Sequence, residues 1–220
     1  AGKPHPAPAQ DVICLGINYM AHSDEAEKYS AAAFATKHED AIYFSKRVTR
    51  AVPDGGPIEA HTDLVKKLDY ECELAVVLGK DVRDVPAGQD PGLYLRLYHP
   101  ERCLSPGCAD GAQTVVLRQE SGRLYPHRAL HRHGRCLCRL PARLGIRSFV
   151  NGEKRQNSNT ALQIFDIDHV VAELSQGMTL KAGTIIATGT PGGWWAWVWT
   201  RRSSSSPEMW CGARSRVLVR

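Results

Sequence analysis

Two carboxylates flanking a single residue, Glu71 and Glu73, open the apolar run Leu74–Leu78 inside LDYECELAVVLGK (68–80). Successive side chains on a strand alternate, so Glu71 and Glu73 are expected on one face and Cys72 on the other. Carboxylates that close repel unless a cation sits between them, and a hard divalent ion such as Mg²⁺ or Mn²⁺ takes oxygen ligands of this kind. An isolated E-x-E pair is more often a solvated face, so its neighbours decide. His22 and Glu25 stand three apart in AHSDEAEKY. On a helical turn they share a face, and a carboxylate beside an imidazole fixes its tautomer and raises its basicity, as a general base requires. Taken alone, that spacing is a surface pair in most proteins. Thr188-Gly189-Thr190-Pro191-Gly192-Gly193 follows the apolar stretch Thr184–Ala187. Its backbone N–H groups and two hydroxyls suit a ligand carboxylate or carbonyl, with a plain turn as the competing reading.

The elements that must position these groups are short and mostly extended. Residues 1–10 form a Pro/Ala linker-like lead, and Asp11–Ile17 (DVICLGI) is a buried-strand candidate. A helix is expected to open near Ser23 or Asp24. Ile42–Lys46 is a strand end, Asp54–Pro57 a turn, and Leu68–Leu78 one strand closed by the Asp84–Gly88 turn. Ile146–Val150 and Glu153 onward form a hairpin about Asn151-Gly152. Asp166 caps a helix over Ile167–Ser175, with Gly177 as its stop.

Composition divides the chain. The net charge is +5 over 220 residues, but residues 92–141 hold eight Arg against three acids, and 194–220 five Arg against one. Neither block contains Lys, and the remainder is net acidic. All five Trp lie between Trp194 and Trp210, and five of the seven Cys fall in the two blocks. Seven irregularly spaced Cys do not make a disulfide framework, so a reducing compartment is expected. No stretch reads as a secretory signal or a bilayer span. A cytoplasmic location is expected, or a mitochondrial one if a targeting segment preceded Ala1.

The segments ICLGINYMAHSDEA, AIYFSK, LDYECELAVVLGK, SFVNGEKRQNSNT and GTIIATGTPGG occur in one order over 1–90 and 143–193. Together they resemble the catalytic domain of the fumarylacetoacetate hydrolase family, which includes hydrolases, decarboxylases and isomerases. The resemblance implies a β-rich α+β fold, a mixed β-sandwich roll or barrel with a few short helices, over 11–193. It implies Mg²⁺ (or Mn²⁺, Ca²⁺) held by Glu71, Glu73 and a third carboxylate, with His22 and Glu25 as the acid–base pair. Tyr19, Lys46, Gly189 and Thr190 match the substrate side. The implied reaction is metal-dependent hydrolysis of a carbon–carbon bond in a small 1,3-diketo or 2-oxo acid, with isomerisation or decarboxylation as the alternative. A homodimer is expected, with no nucleic-acid or membrane partner.

The chain departs from the family in the two anomalous blocks. A third ligand is expected near residues 100–106 in a motif like NDVSAR, followed by a W-x-x-x-K-S-x-D stretch, and neither is present. Codons compatible with Leu93–Pro106 read YIFGYTILNDVSAR one base later, and codons compatible with the chain on to His127 read QTAHKQWFFGKSLDGFIP. The tail 194–220 regains family character two bases on. Both blocks therefore read as out of frame, which accounts for the Arg excess, the missing Lys and the clustered Trp. Cys136 and Cys138 beside His127, His131 and His133 suggest zinc, but an out-of-frame segment carries no selected ligand geometry. The chain as written is expected to have an incomplete sheet and little turnover, an inactive remnant being the alternative to activity.

Overall fold

The computed structural model of the chain describes residues 11–29, 40–47, 69–88, 94–98, 101–104, 143–150 and 152–193. The Asp54–Pro57 turn, the candidate zinc residues and the tail from Trp194 lie outside them. The described residues include nine strands: β1 Val12–Leu15, β2 Tyr43–Lys46, β3 Asp69–Cys72, β4 Ala75–Leu78, β5 Tyr94–Tyr98, β6 Glu101–Leu104, β7 Gly145–Val150, β8 Glu153–Asn159 and β9 Ile185–Ala187. Helix α1 spans Met20–Tyr29 and α2 spans Ile167–Ser175.

The central sheet runs β2-β1-β9-β4-β5. It is mixed, because β1 and β9 are parallel while the other neighbours are antiparallel. Its middle strands are buried on both faces, which is why Ala75–Leu78 and Ile185–Ala187 read as unbroken apolar runs. One face packs Leu15, Val76, Leu78 and Ile186 against Val170, Val171 and Leu174 of α2. The other gathers Val12, Cys14, Ala75, Val77, Ile185 and Ala187. The pairs β3-β6 and β7-β8 stand as separate two-stranded sheets. This is the β-rich α+β architecture with few short helices that the sequence implies, although the described sheets do not close into a barrel.

Local signals set the boundaries. The Asp166 carboxylate accepts from the His169 N–H at 2.8 Å, so α2 starts where its cap requires and ends at Ser175, with Gln176 and Gly177 beyond. Hairpin β7-β8 pairs Val150 with Glu153, and Gly152 of its connection is at φ 82°. Helix α1 begins at Met20, earlier than the sequence suggests. Ser23 is therefore a buried residue of its first turn.

Two further differences bear on the site. The stretch Leu68–Leu78 is not one strand. It breaks at Glu73-Leu74 and passes from the β3-β6 sheet into the central sheet. The break follows from hydrogen bonding, because the Leu74 carbonyl accepts from both the N–H and the hydroxyl of Thr188 at 2.9 Å. In the 92–141 block, which shows no clear period, β5 and β6 nevertheless pair with β4 and β3. The alternation of Tyr, Leu and Arg over 94–98 is compatible with a strand whatever frame produced it.

A surface contact ties the turn after β4 to the approach to β9. The Asp81 carboxylate accepts from Lys181 Nζ and from the Ala182 N–H, both at 2.8 Å. The Lys181 hydrogen bond, then that of Ala182, holds the Asp81 carboxyl below the usual carboxylate range. A carboxyl depressed in the folded state stabilises fully above its unfolded value and loses that contribution as pH falls through its folded value. Asp81→Asn should therefore show a shallower fall in urea midpoint than the parent between about pH 5 and about pH 2, measured by far-UV circular dichroism. An identical fall in both proteins contradicts the contact.

Candidate active site

The residue between the two carboxylates is held at both of its peptide groups. The Cys72 N–H donates to Gln156 Oε1 at 3.1 Å, and the Cys72 carbonyl accepts from the Thr190 hydroxyl at 3.1 Å. Gln156 Nε2 in turn donates to Thr190 Oγ1 at 2.8 Å. The three bonds form a closed cycle of one peptide, one amide and one hydroxyl. Gln156 also accepts from Ser148 Oγ at 2.9 Å and donates to the Pro191 carbonyl at 2.9 Å. Its oxygen accepts twice and its nitrogen donates twice, so the amide orientation is fixed by its partners.

Glu71 and Glu73 are both buried, at 7% and 0% exposure. They do not share one continuous strand face as the alternation predicts, because Glu73 sits in the break after β3. Glu73 Oε2 accepts from the Gly189 N–H at 3.0 Å, which anchors the loop after β9 to the carboxylate pair. Gly189 is at φ 85°, and a Cβ there would meet Asn18 Cβ and the Gly16 carbonyl at 3.0 Å. Glycine is therefore required both by the backbone conformation and by the close approach.

The same loop reaches α1. Gly193 donates its N–H to Glu25 Oε2 at 3.2 Å, and Gly192 lies against Ala21, where a Cβ would come within 2.9 Å. His22 is half-buried on α1, one helical turn before Glu25. The helix and the carboxylates are thus joined through residues 188–193. Thr190 is 4% exposed, and its one proton goes to Cys72, so toward a ligand its hydroxyl can act only as an acceptor unless that bond opens. The Thr188 hydroxyl is likewise engaged, donating to Leu74 and accepting from Gln163 Nε2 at 2.7 Å.

Tyr19 is buried and follows Asn18, whose Nδ2 donates to the Thr188 carbonyl. Burial pushes its hydroxyl well above the usual tyrosine range, the nearby Gln163 side chain opposes that, and the charges of Glu73 and Cys72 add to it. The phenol therefore stays protonated at neutral pH and can serve as a neutral hydrogen-bond partner. Lys46 is 2% exposed on β2, opposite Val12. That position is two residues along the strand from Phe44, which opposes Cys14, and so lies further from the loop end of the sheet.

Sequence reasoning did not single out Asn18 or Gln156. Asn18 is fully buried; its Nδ2 donates to the Phe165 and Thr188 carbonyls at 3.0 and 2.8 Å, and its Oδ1 accepts from the Phe165 N–H at 2.8 Å. An amide side chain in a buried strand or beside a strand end was the available signal, since such groups persist in cores only when fully paired. A cavity of about 350 Å³ lies along Thr160–His169, lined also by Arg143. It meets the site only at Gln163.

The motifs, their order and this layout define a class. Residues 11–92 and 124–219 match the fumarylacetoacetate (FAA) hydrolase C-terminal family, and the chain belongs to it. It is 31% identical over 208 residues to the oxaloacetate tautomerase YisK of Bacillus subtilis strain 168, covering 86% of this chain and 61% of that protein. Among solved structures, a fumarylacetoacetate hydrolase from Exiguobacterium antarcticum superposes with a TM-score of 0.68 at 30% identity, over 84% of this chain and 64% of that one. The 5-carboxymethyl-2-hydroxymuconate delta-isomerase of Mycobacterium smegmatis superposes with a TM-score of 0.62 at 26% identity, over 86% and 68%. This chain thus spans about three fifths of the length of the tautomerase. Members of the family are enzymes that include hydrolases, isomerases and tautomerases.

A fumarylpyruvate hydrolase from Pseudomonas aeruginosa, 24% identical and superposing with a TM-score of 0.65, was solved with Mn²⁺ and pyruvate. Two buried carboxylates are suitable hard donors for such an ion. Among the described residues, the rest of the donor set does not fit. Among the described residues no group of three or more His, Cys, Asp or Glu is gathered to hold a metal, and the β3-β6 register sets Arg102 opposite Glu71.

The hydrogen-bonded cycle generates a direct prediction. Gln156→Leu removes both its donors and acceptors and leaves the Cys72 N–H and the Pro191 carbonyl without that partner. Each buried group so left costs about 1–3 kcal/mol, so a total loss of roughly 3 kcal/mol is expected in urea unfolding. A loss below about 0.5 kcal/mol would show that the cycle does not hold the site.

Proposed function

We propose that this site performs enol and enolate chemistry on a small 1,3-diketo or 2-oxo acid, ending in hydrolysis of a carbon–carbon bond. The observation that supports it is the joining of the His22–Glu25 helix to the buried Glu73 by the single loop 188–193, with Tyr19 within electrostatic reach of Glu73. In this reading Glu25, itself buttressed by the Gly193 N–H, orients the His22 imidazole. His22 removes a proton from water, and the oxygen adds to the substrate carbonyl. Collapse of the adduct breaks the carbon–carbon bond and leaves an enolate, which takes back the proton from His22. The neutral Tyr19 hydroxyl is suited to hydrogen-bond developing oxyanion charge. Substrate contacts are assigned to Tyr19, the backbone of Gly189 and the acceptor face of Thr190; Lys46, at the far end of β2, is left out of them. The roles fall to the protein's own side chains, because among the described residues the donor set around Glu71 and Glu73 does not fit a metal.

A second reading, keto–enol tautomerisation, draws support from the 31% identity to an oxaloacetate tautomerase. It needs the same base but no attacking water, since His22 would move a proton between carbon and oxygen of one substrate. The homodimeric state expected of the family and its cytoplasmic location are proposals of the same kind.

Both readings are tested by supplying acylpyruvates and oxaloacetate to the folded chain. Loss of diketone absorbance reports hydrolysis, and loss of enol absorbance without cleavage reports tautomerisation. Turnover is expected to be slow and to fall by about 10²-fold or more in His22→Ala, with a smaller loss in Glu25→Gln. Activity unchanged by His22→Ala, or no turnover of any of these acids by a folded chain, contradicts the proposal.

A further inference from the structure

One side chain belongs both to the candidate site and to the cavity beside it. Gln163 lines the cavity of about 350 Å³ along Thr160–His169, and its Nε2 donates to Thr188 Oγ1 at 2.7 Å. The single proton of that hydroxyl goes to the Leu74 carbonyl, so Thr188 needs a donor and the amide nitrogen must face it. The backbone holds the same position. Gln163 and Tyr19 are antiparallel bridge partners. The Ile164 N–H donates to the Asn18 carbonyl at 2.9 Å, and the Gln163 N–H to the Thr160 carbonyl at 3.2 Å.

Tyr19 is 1% exposed and does not line the cavity. Its hydroxyl is buried and has no hydrogen-bond partner at bonding distance among the described residues. The Gln163 side chain is nevertheless near enough to oppose the rise in its pKa. The cavity opens to solvent, since Arg143, Asp166 and His169 of its lining are exposed. Beside Gln163 the lining continues with the half-buried Ile164 and the buried Phe165. A half-buried amide thus stands at the junction of a buried phenol and an open space, whose volume lies in the small-molecule range of about 300–1,000 Å³.

We propose that Gln163 is the specificity-determining residue of the site: its bulk, held by the bond to Thr188, closes the cavity off from Tyr19 and limits the site to 2-oxo acids with a short acyl arm. This rests on the reaction reading above for the class of acid, but it concerns binding. Truncating the side chain joins the cavity to the space at Tyr19, so that a longer arm lies along Ile164 and Phe165. One methylene of pocket depth changes discrimination by about 10–200-fold, and Gln163→Ala removes more than one methylene.

The test is isothermal titration of the full chain with acetylpyruvate and hexanoylpyruvate, with turnover of both followed by absorbance. The parent is expected to bind acetylpyruvate at least about tenfold more tightly than hexanoylpyruvate. Gln163→Ala should lower that ratio by at least about tenfold, whereas Gln163→Met, of similar volume, should keep it. A folded Gln163→Ala with the parent's ratio overturns the proposal, as do a Gln163→Met that loses it and a parent that binds both acids equally or neither. Should Gln163→Ala lose its far-UV circular dichroism signal, the parent decides: the tenfold preference supports the proposal and its absence overturns it. Discrimination by length without turnover overturns the reaction reading alone. Turnover without discrimination overturns the role of Gln163 alone.

Discussion

The candidate site depends on keeping a strand break in place. Glu71 and Glu73 belong to a segment that leaves one sheet and enters another within two residues, and such a crossing exposes peptide groups that neither ladder can satisfy. Buried peptide groups without partners are costly. The Gln156–Thr190–Cys72 cycle answers that need with side chains, supplying an acceptor for the Cys72 N–H and a donor for its carbonyl. Everything built on the break inherits its position: the burial of both carboxylates, the docking of Gly189 on Glu73 and, through Gly193, the placement of Glu25.

One loop therefore carries two duties. Residues 188–193 extend from β9, the parallel partner of β1, so their starting point is set by the best-packed part of the sheet. Their N–H and hydroxyl groups then bind the protein itself, at Leu74, Cys72, Glu73 and Glu25. A glycine-rich loop after a strand suggests a cradle for a ligand. Here the described donors act first as a clamp, and substrate recognition must use the edges that the clamp leaves.

Much of this was legible in the sequence, for identifiable reasons. The α2 cap at Asp166, the β7-β8 hairpin and the apolar strands β4 and β9 are local signals, and each appears where its residues put it. The Glu71/Glu73 pair, His22 and Glu25 were legible as types and spacings. The break between β3 and β4 was not, because its cause lies at Thr188 and Gln156, more than eighty residues away. Gln156 lies in a polar stretch that reads as surface until its partners are known, and Asn18 beside a strand end has partners, Phe165 and Thr188, distant in sequence. The strands β5 and β6 were hidden by a segment with no clear period.

The central claim is that the Cys72 N–H and carbonyl are held by the side chains of Gln156 and Thr190. Hydrogen exchange at the Cys72 amide, followed by NMR, tests it most directly. The amide should be protected to a degree comparable with Val76 and Ile186 in the parent, and should lose that protection in Gln156→Leu while theirs remains. A Cys72 amide that exchanges freely while Val76 and Ile186 are protected would contradict the account.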